Sequence, residues 1–321
     1  MVRIGVLTSG GDSPGMNACI RAVVRRGTSL GMEVWGIKRG FKGLINGEME
    51  KLDNRKVGGI IQKGGTFLQT ARCPEFKDPK VMREGLRRLN EANIEGLVII
   101  GGDGSMRGAY ALYKMGFPVV GVPASIDNDV WGTDMAIGVD TALNAVLLAI
   151  DRIKDTATSH GRAFLIEVMG RQSGYLALMG GLAGGAEAVL IPEKDTSLEE
   201  VASIIEDAYI KGKPHAIIVI AEGAKYKTHE VASFLTKDEV GFEVRTTILG
   251  HIQRGGSPTA FDRILATRFG VAAVEALASG QKGVMVALVG NKVELIPLEE
   301  VVSKNRGLDL KLLEMANVLA Q

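Results

Sequence analysis

Short apolar runs alternate with stretches of helical period along the 321 residues of the chain. Leu97-Val98-Ile99-Ile100 and Pro118-Val119-Val120-Gly121-Val122 are unbroken apolar runs of strand length, the pattern of strands buried on both faces. Arg3 to Thr8 and Ala216 to Ile220 also read as strands. Helical spacing resumes at Met16, with Ile20, Val23 and Val24 apolar. The segment from Val139 to Ile153, including Ala142, Leu143, Val146, Leu147 and Ile150, is apolar almost all round, which predicts a buried helix. Strands and helices in alternation predict an α/β fold of mainly parallel sheets covered by helices.

The candidate chemistry lies where these strand runs end. Gly101-Gly102-Asp103-Gly104-Ser105 follows one of them, and its glycines let backbone N–H groups approach an anion. Phosphate beside the Asp103 carboxylate is repelled unless a divalent cation bridges them, which makes Asp103 a candidate magnesium ligand. The plainer alternative is a cap for a helix beginning near Ser105. About twenty residues on, Pro123-Ala124-Ser125-Ile126-Asp127-Asn128-Asp129 follows the next strand run and is expected at the same carboxyl edge of the sheet. There Asp127 can accept a hydroxyl proton in phosphoryl transfer, with Asp129 as supporting charge. An Asp-Asn turn between strand and helix is the alternative.

A third glycine turn, Ser9-Gly10-Gly11-Asp12-Ser13-Pro14-Gly15, joins the first strand to the first helix, a geometry that receives phosphate. It is not a Walker loop, because Met16-Asn17 stands where Lys and Ser or Thr are required. Gly102, Gly104 and Gly108 fit a dinucleotide fingerprint poorly, since Asp103 would face the pyrophosphate.

Composition narrows the class. A hydrophobic fraction of 46% with 42 glycines allows a substantial core in two lobes. A formal net charge of +1 gives no global field for nucleic acid. Cys19 and Cys73 form neither a disulfide framework nor a metal spacing and read as reduced thiols. No apolar run reaches membrane-spanning length, and the N-terminal one is too short for a secretory signal, so a soluble cytoplasmic enzyme is expected.

Taken together, the motifs resemble the bacterial-type ATP-dependent 6-phosphofructokinases. The resemblance rests on Leu7 to Asp12, Thr70 to Phe76, the Gly101 and Pro123 clusters, Glu167 to Arg171, and Leu249 to Pro258, in order and essentially end to end. It implies magnesium-dependent transfer from ATP to the 1-hydroxyl of fructose 6-phosphate. ATP would be met by Gly11, Arg72, Cys73, Gly102, Asp103, Gly104 and Ser105, with Asp103 holding magnesium. Asp127 would accept the proton, with Arg72, Ser125, Asp129 and Arg171 also serving the transfer. The sugar phosphate would meet Ser125, Asp127, Arg162, Met169, Gly170, Arg171, Glu222, Arg245, His251 and Arg254. Guanidinium forks suit its phosphate, and carboxylates or imidazole its hydroxyls. Arg72, as a cation between two phosphates, resembles an arginine finger. Gly104 favours ATP over pyrophosphate as donor, because the similar pyrophosphate-using enzymes carry a bulkier acidic residue there and a lysine at the position of Ala124. ATP-type relatives usually have glycine at that second position and threonine at Ser125, so small kinetic effects are expected here.

The resemblance also implies allosteric control. Arg21 and Arg25, one helical turn apart, would join Lys154, Glu187, Lys211, Lys213 and His215 in an effector pocket for ADP or phosphoenolpyruvate. The last three are expected in an extended stretch before the strand Ala216 to Ile220. Asn54 and Gly59 replace charged residues, and Lys154 and Lys211 replace arginines, which loses bidentate forks and predicts altered effector strength. Relatives are homotetramers in which Arg162 and Arg245 reach a neighbour's substrate. The implied architecture is two similar lobes: 1–138 plus about 255–303 for ATP, and 139–254 plus about 304–321 for the sugar phosphate, with transfer in the cleft. Three alternatives stay open: a pyrophosphate-dependent phosphofructokinase, a non-catalytic nucleotide and sugar-phosphate sensor, and another Gly-Gly-Asp-Gly kinase acting on a nicotinamide dinucleotide or a lipid. The sensor predicts loss of Asp103, Asp127 or Arg72, and all three are present; the last group lacks the Met169 to Arg171 and His251 to Arg254 elements.

Overall fold

The computed structural model describes residues 1–238 and 240–320. They form two compact units, one of residues 1–141 with 254–306 and one of residues 142–238, 240–253 and 307–320.

The first unit begins with β1 (Arg3–Ser9), α1 (Met16–Ser29), β2 (Glu33–Ile37), α2 (Gly40–Asn46), β3 (Met49–Leu52), α3 (Pro79–Glu91), β4 (Gly96–Gly101), α4 (Asp103–Lys114) and β5 (Val119–Pro123). α5 (Val139–His160) leads into the second unit, with β6 (Arg162–Val168), α6 (Tyr175–Gly184), β7 (Ala188–Leu190), α7 (Leu198–Ile210), β8 (Ala216–Ala221), α8 (Thr228–Lys237) and β9 (Glu243–Ile248). The chain then returns to the first unit as α9 (Ala260–Ala278), β10 (Val284–Val289), β11 (Lys292–Pro297) and α10 (Leu298–Ser303), and ends in the second as α11 (Leu310–Leu319).

The first sheet runs β11-β10-β5-β4-β1-β2-β3, parallel except for its two edge strands. Its strands β10, β5 and β4 are apolar without interruption because both faces are covered. Val98 and Ile100 join Ile20 and Val23 of α1 and Phe269 and Ala273 of α9 in one layer. Leu97 and Ile99 point the other way, into a layer with Phe41 and Leu44 of α2, Leu89 of α3, and Met106 and Leu112 of α4. Removing one of these fully enclosed side chains, as in Leu97→Ala, costs roughly 2–5 kcal/mol.

The second sheet, β7-β8-β6-β9, is wholly parallel. Leu165 of β6 and Ile218 and Ile220 of β8 pack on Val201 and Ile205 of α7 and Val231 and Leu235 of α8. At its edge, β9 leaves Arg245 and Thr246 exposed, and Ile248 is 65% exposed.

Two expectations need correction. α5 buries a stripe, Ala142, Val146, Ile150 and Ala157, while Asn144 is exposed and Leu148 is 53% exposed, so it is not enclosed all round. Residues 211–215 are a helix-ending turn, not an extended stretch. Lys211 caps α7, Gly212 takes φ +72°, and the Lys213 N–H returns to the Ala208 carbonyl. Glycine just past a helix favours that left-handed turn.

Candidate active site

In the first unit, three loops leave the carboxyl ends of adjacent parallel strands. Ser9 of β1 stands opposite Gly101 of β4, and Gly101 opposite Pro123 of β5. Strand order reverses between β1 and β4, and such a switch point leaves a crevice for ligand at the carboxyl ends. Local packing requires glycine at 101, where a Cβ would lie 2.5 Å from the Ser9 carbonyl oxygen. The Ser105 hydroxyl donates to that carbonyl at 3.1 Å, tying the two turns together.

The helix expected near Ser105 starts two residues earlier. Gly102 is the cap of α4 and Asp103 its first residue, so Asp103 does not do the capping. Its carboxylate takes a 2.8 Å ion pair from Arg107 one turn along, with both side chains well exposed. A Cβ on Gly104 would meet nothing within 4 Å, and its φ is not positive, so neither packing nor backbone geometry explains the glycine.

On the next strand, the Ala124 N–H donates to the Gly101 carbonyl at 2.9 Å, and a Cβ on Gly102 would lie 3.4 Å from Ser125 Cβ. The Asp127 N–H donates to Ser125 Oγ at 3.3 Å, and Ser125 Oγ donates to Asp129 Oδ1 at 3.1 Å. Burial pushes Asp129 above the ordinary carboxylate range, and the Asp103 charge adds to that, while the Ser125 hydroxyl and Arg306 pull it back. The Asp-Asn turn is carried by Asn128, which is buried at φ +49°. Its Nδ2 donates to the Asp134 carbonyl at 3.2 Å, and its Oδ1 accepts from Ala136 N at 3.0 Å. Sequence reasoning gave Asn128 no site role; asparagine's tolerance of the left-handed region was the available signal.

Around the first turn, the Thr70 hydroxyl donates to the Gly10 carbonyl at 2.8 Å and fastens the segment that bears Arg72, which is exposed. The Cys73 thiol is pushed up to about 11 by burial and the neighbouring Glu75, which favours its protonated form. Arg254, expected with the sugar-phosphate lobe, belongs to the first unit. Its guanidinium lies over Gly11, 3.3 Å from where a Cβ would stand.

The second unit repeats the arrangement at the ends of β6, β8 and β9. The Glu222 N–H donates to the Val168 carbonyl at 2.9 Å and Gly223 N–H to the Gly170 carbonyl at 3.0 Å, which holds the Met169-Gly170-Arg171 turn beside Glu222. Gly170 has φ +133°, and a Cβ would collide with the Ser173 carbonyl, so only glycine fits. Arg171 Nε pairs with Glu222 at 3.1 Å. At the opposite ends of these strands, Arg162 and Arg245 both pair with Glu243. His251 is exposed beyond β9.

Of the effector candidates, Lys213 Nζ lies 3.3 Å from Glu187 Oε1, and Lys154 Nζ donates to the Gly185 carbonyl at 3.3 Å. His215 Nδ1 is 2.9 Å from the Thr158 hydroxyl. Burial lowers the His215 pKa, with Glu187 opposing and Lys154 and Lys213 assisting. Lys211 and Lys213 line a cleft of about 350 Å³ with Glu187. Arg21 and Arg25 sit on α1 in the first unit, and burial together with the Arg25 charge lowers the Arg21 pKa.

Among the described residues no group of three or more His, Cys, Asp or Glu could hold a metal by itself, and no helix is long and apolar enough to cross a membrane. A magnesium ion bound through one or two carboxylates and the substrate's phosphates needs no such cluster, and the exposed Asp103 carboxylate suits that donor chemistry.

The family model described as phosphofructokinase matches residues 3–277. The chain is 53% identical to an ATP-dependent 6-phosphofructokinase of Thermotoga neapolitana and 54% identical to an ATP-dependent 6-phosphofructokinase 1 of Thermus thermophilus, each covering 100% of both chains. Among solved structures, Pichia pastoris phosphofructokinase in the T-state superimposes with a TM-score of 0.91 at 37% identity, covering 94% of this chain. This chain spans 35% of the Pichia chain. A pyrophosphate-dependent phosphofructokinase from Marinobacter aquaeolei shares the fold, with a TM-score of 0.86 at 22% identity.

Proposed function

The chain belongs to the phosphofructokinase family, and we propose that it transfers the terminal phosphoryl group of ATP to the 1-hydroxyl of fructose 6-phosphate, giving fructose 1,6-bisphosphate and ADP. The observation that carries this reading is the pairing of two loops at the ends of β4 and β5. One presents Asp103 at the amino end of a helix; the other presents Asp127 and Asp129 on a turn fixed by Asn128. Helix amino ends receive phosphate, and a carboxylate on the adjacent loop receives the proton that the sugar hydroxyl gives up.

Within this scheme the nucleotide meets the first unit through Gly11, Arg72, Cys73 and residues 102–105. Arg72 stabilises charge that shifts onto the departing diphosphate. Asp103 would hold the magnesium ion, which neutralises phosphate charge when bound. Arg107 competes with it for the same carboxylate, an exposed pair worth at most about 1 kcal/mol. Ser125 spends its proton on Asp129, so its lone pair faces the Asp127 N–H and orients that residue. Asp127 takes the hydroxyl proton. Met169, Gly170, Arg171, Glu222 and His251 bind the sugar phosphate from the second unit, and Arg254 contributes from beside Gly11. The open space at Gly104 supports ATP as donor.

Arg162 and Arg245 serve a neighbouring subunit's substrate in a homotetramer. The exposed β9 edge supports that assembly. Arg21, Arg25, Lys154, Glu187, Lys211, Lys213 and His215 bind ADP or phosphoenolpyruvate as effectors, and the enzyme works in the cytoplasm. A coupled assay with fructose 6-phosphate and either ATP or pyrophosphate, with and without magnesium, tests the central claim. Turnover with pyrophosphate alone, or with ATP after full magnesium removal, would overturn it.

A further inference from the structure

Asp262 takes no part in the scheme above, yet it is fully buried. It is the third residue of α9, and its carboxylate serves the start of another helix. It accepts from Gly138 N at 2.8 Å, from Thr141 N at 2.8 Å and from the Thr141 hydroxyl. Gly138 immediately precedes α5 and Thr141 is its third residue, so Asp262 caps α5 from outside. Thr259, the cap of α9, returns the arrangement: its hydroxyl donates to Asp140 Oδ2 at 2.6 Å and its N–H to Thr141 Oγ1 at 3.1 Å. Burial pushes Asp262 upward, while the Thr141 and Gly138 donors pull it down. Two helix amino ends converge on it, and both favour the anion.

The segment this tie anchors is the support of the proposed catalytic loop. Residue 137 bridges 124 in parallel, with Ile137 N donating to the Pro123 carbonyl at 3.0 Å and Ser125 N to the Ile137 carbonyl at 3.2 Å. One residue earlier, Ala136 N donates to Asn128 Oδ1 at 3.0 Å. The Ser13 hydroxyl of the first glycine turn donates to the same Ile137 carbonyl at 3.0 Å. Both the loop that bears Asp127 and the turn that bears Gly11 therefore lean on residues 136–138, and Asp262 fixes the end of that segment.

We propose that Asp262 is a positioning residue for phosphoryl transfer: by locking residues 138–141 to the start of α9, it holds residues 136–137 against the Ser125 to Asp129 loop and sets where Asp127 stands. This rests on the assignment of Asp127 as proton acceptor. A residue that served stability alone would lower the resistance to unfolding without moving turnover in the folded enzyme.

The test uses the full-length enzyme. Asp262→Asn keeps the volume but turns an NH2 group toward one of the donors. It lowers kcat about 10- to 100-fold, because small misplacements of reacting groups have effects of that size. KM for ATP and for fructose 6-phosphate stays within about threefold, and amide hydrogen exchange accelerates in residues 124–138 while β6 and β8 keep their protection. Thr141→Val removes the hydroxyl that donates to Asp262 and accepts from the Thr259 N–H but leaves the Gly138 and Thr141 backbone donors in place. It gives the same pattern more weakly, which keeps the test available if the asparagine variant fails to fold. Turnover within about twofold of the parent in the folded variants overturns the proposal, as does exchange that rises evenly along the chain. Failure of the base assignment shows separately, as an Asp127→Ser enzyme that keeps its turnover. Localised loosening at 124–138 then still supports the tie, and its absence overturns it.

Discussion

Ser125 Oγ donates to Asp129 Oδ1 at 3.1 Å while accepting from the Asp127 N–H at 3.3 Å. One hydroxyl thus links the two carboxylate residues of the loop, bonding to the side chain of one and the backbone of the other. Asp129 is partly buried, hydrogen-bonded and raised in pKa; Asp127 stands on the turn that Asn128 fixes. Asp127→Ser is expected to lower kcat by about two to four orders of magnitude with KM for fructose 6-phosphate little changed, the usual range for losing a general base. Steady-state kinetics checks this, and comparable turnover in the variant removes Asp127 from the role.

Asp129 makes a prediction about pH and stability. Its folded pKa lies above the ordinary aspartate value, so in the window between the two the folded state binds more protons than the unfolded one. Its contribution therefore becomes less favourable as pH rises through that window and is constant above it. Asp129→Asn removes the titration. The melting temperature of the variant relative to the parent should rise from acid toward neutral pH and then level. A difference independent of pH, or one of opposite slope, counts against the burial argument.

Gly104 separates folding from function. It lies in the first turn of α4 with nothing near a prospective Cβ. Gly104→Asp should stabilise the fold by about 0.5–1 kcal/mol, since glycine is a poor helix former and an acidic group suits a helix amino end. The same carboxylate would repel ATP phosphates, raising KM for ATP at least about tenfold, the equivalent of roughly 1.4 kcal/mol. Chemical denaturation and ATP titration together decide it. Loss of stability would mean the space is not open.

Lys211 tests the effector assignment. It lines the cleft shared with Lys213 and Glu187, and it offers an ammonium where a guanidinium would give a fork. Lys211→Arg is expected to tighten ADP or phosphoenolpyruvate regulation severalfold without changing kcat in the absence of effector. Effector curves that coincide with the parent's would place Lys211 outside the site.

Much of this layout was legible because its signals are local. Continuous apolar runs gave β4, β5 and β8, the strand-like stretch near the amino terminus gave β1, and the glycine turns after β1 and β4 marked where helices begin. The resemblance supplied the roles of residues that no periodicity distinguishes, such as Arg162 and Arg245. What stayed hidden depends on pairing across the chain. Asp262 reads locally as an ordinary acidic residue in a first helical turn, and its donors lie more than 120 residues away. The exposed Leu148 on α5 misled because apolar content records what a face could bury, not what this single chain places against it. The 211–215 turn was misread although Gly212 carried the usual mark of a helix end.

Glu243 offers the last prediction. Both Arg162 and Arg245 pair with it at the exposed edge of the second sheet. If those guanidiniums bind a sugar phosphate, they must first release this carboxylate. Arg162→Ser should raise the half-saturating fructose 6-phosphate concentration at least about tenfold with kcat largely kept, the mark of lost uniform binding. Glu243→Gln should act in the opposite direction, lowering half-saturation by about two- to fivefold, since exposed ion pairs are weak. Substrate titrations on both variants separate the possibilities. An Arg162→Ser effect confined to turnover would assign Arg162 to the transition state, and weaker binding in Glu243→Gln would make the carboxylate an organiser of the arginines, not their competitor.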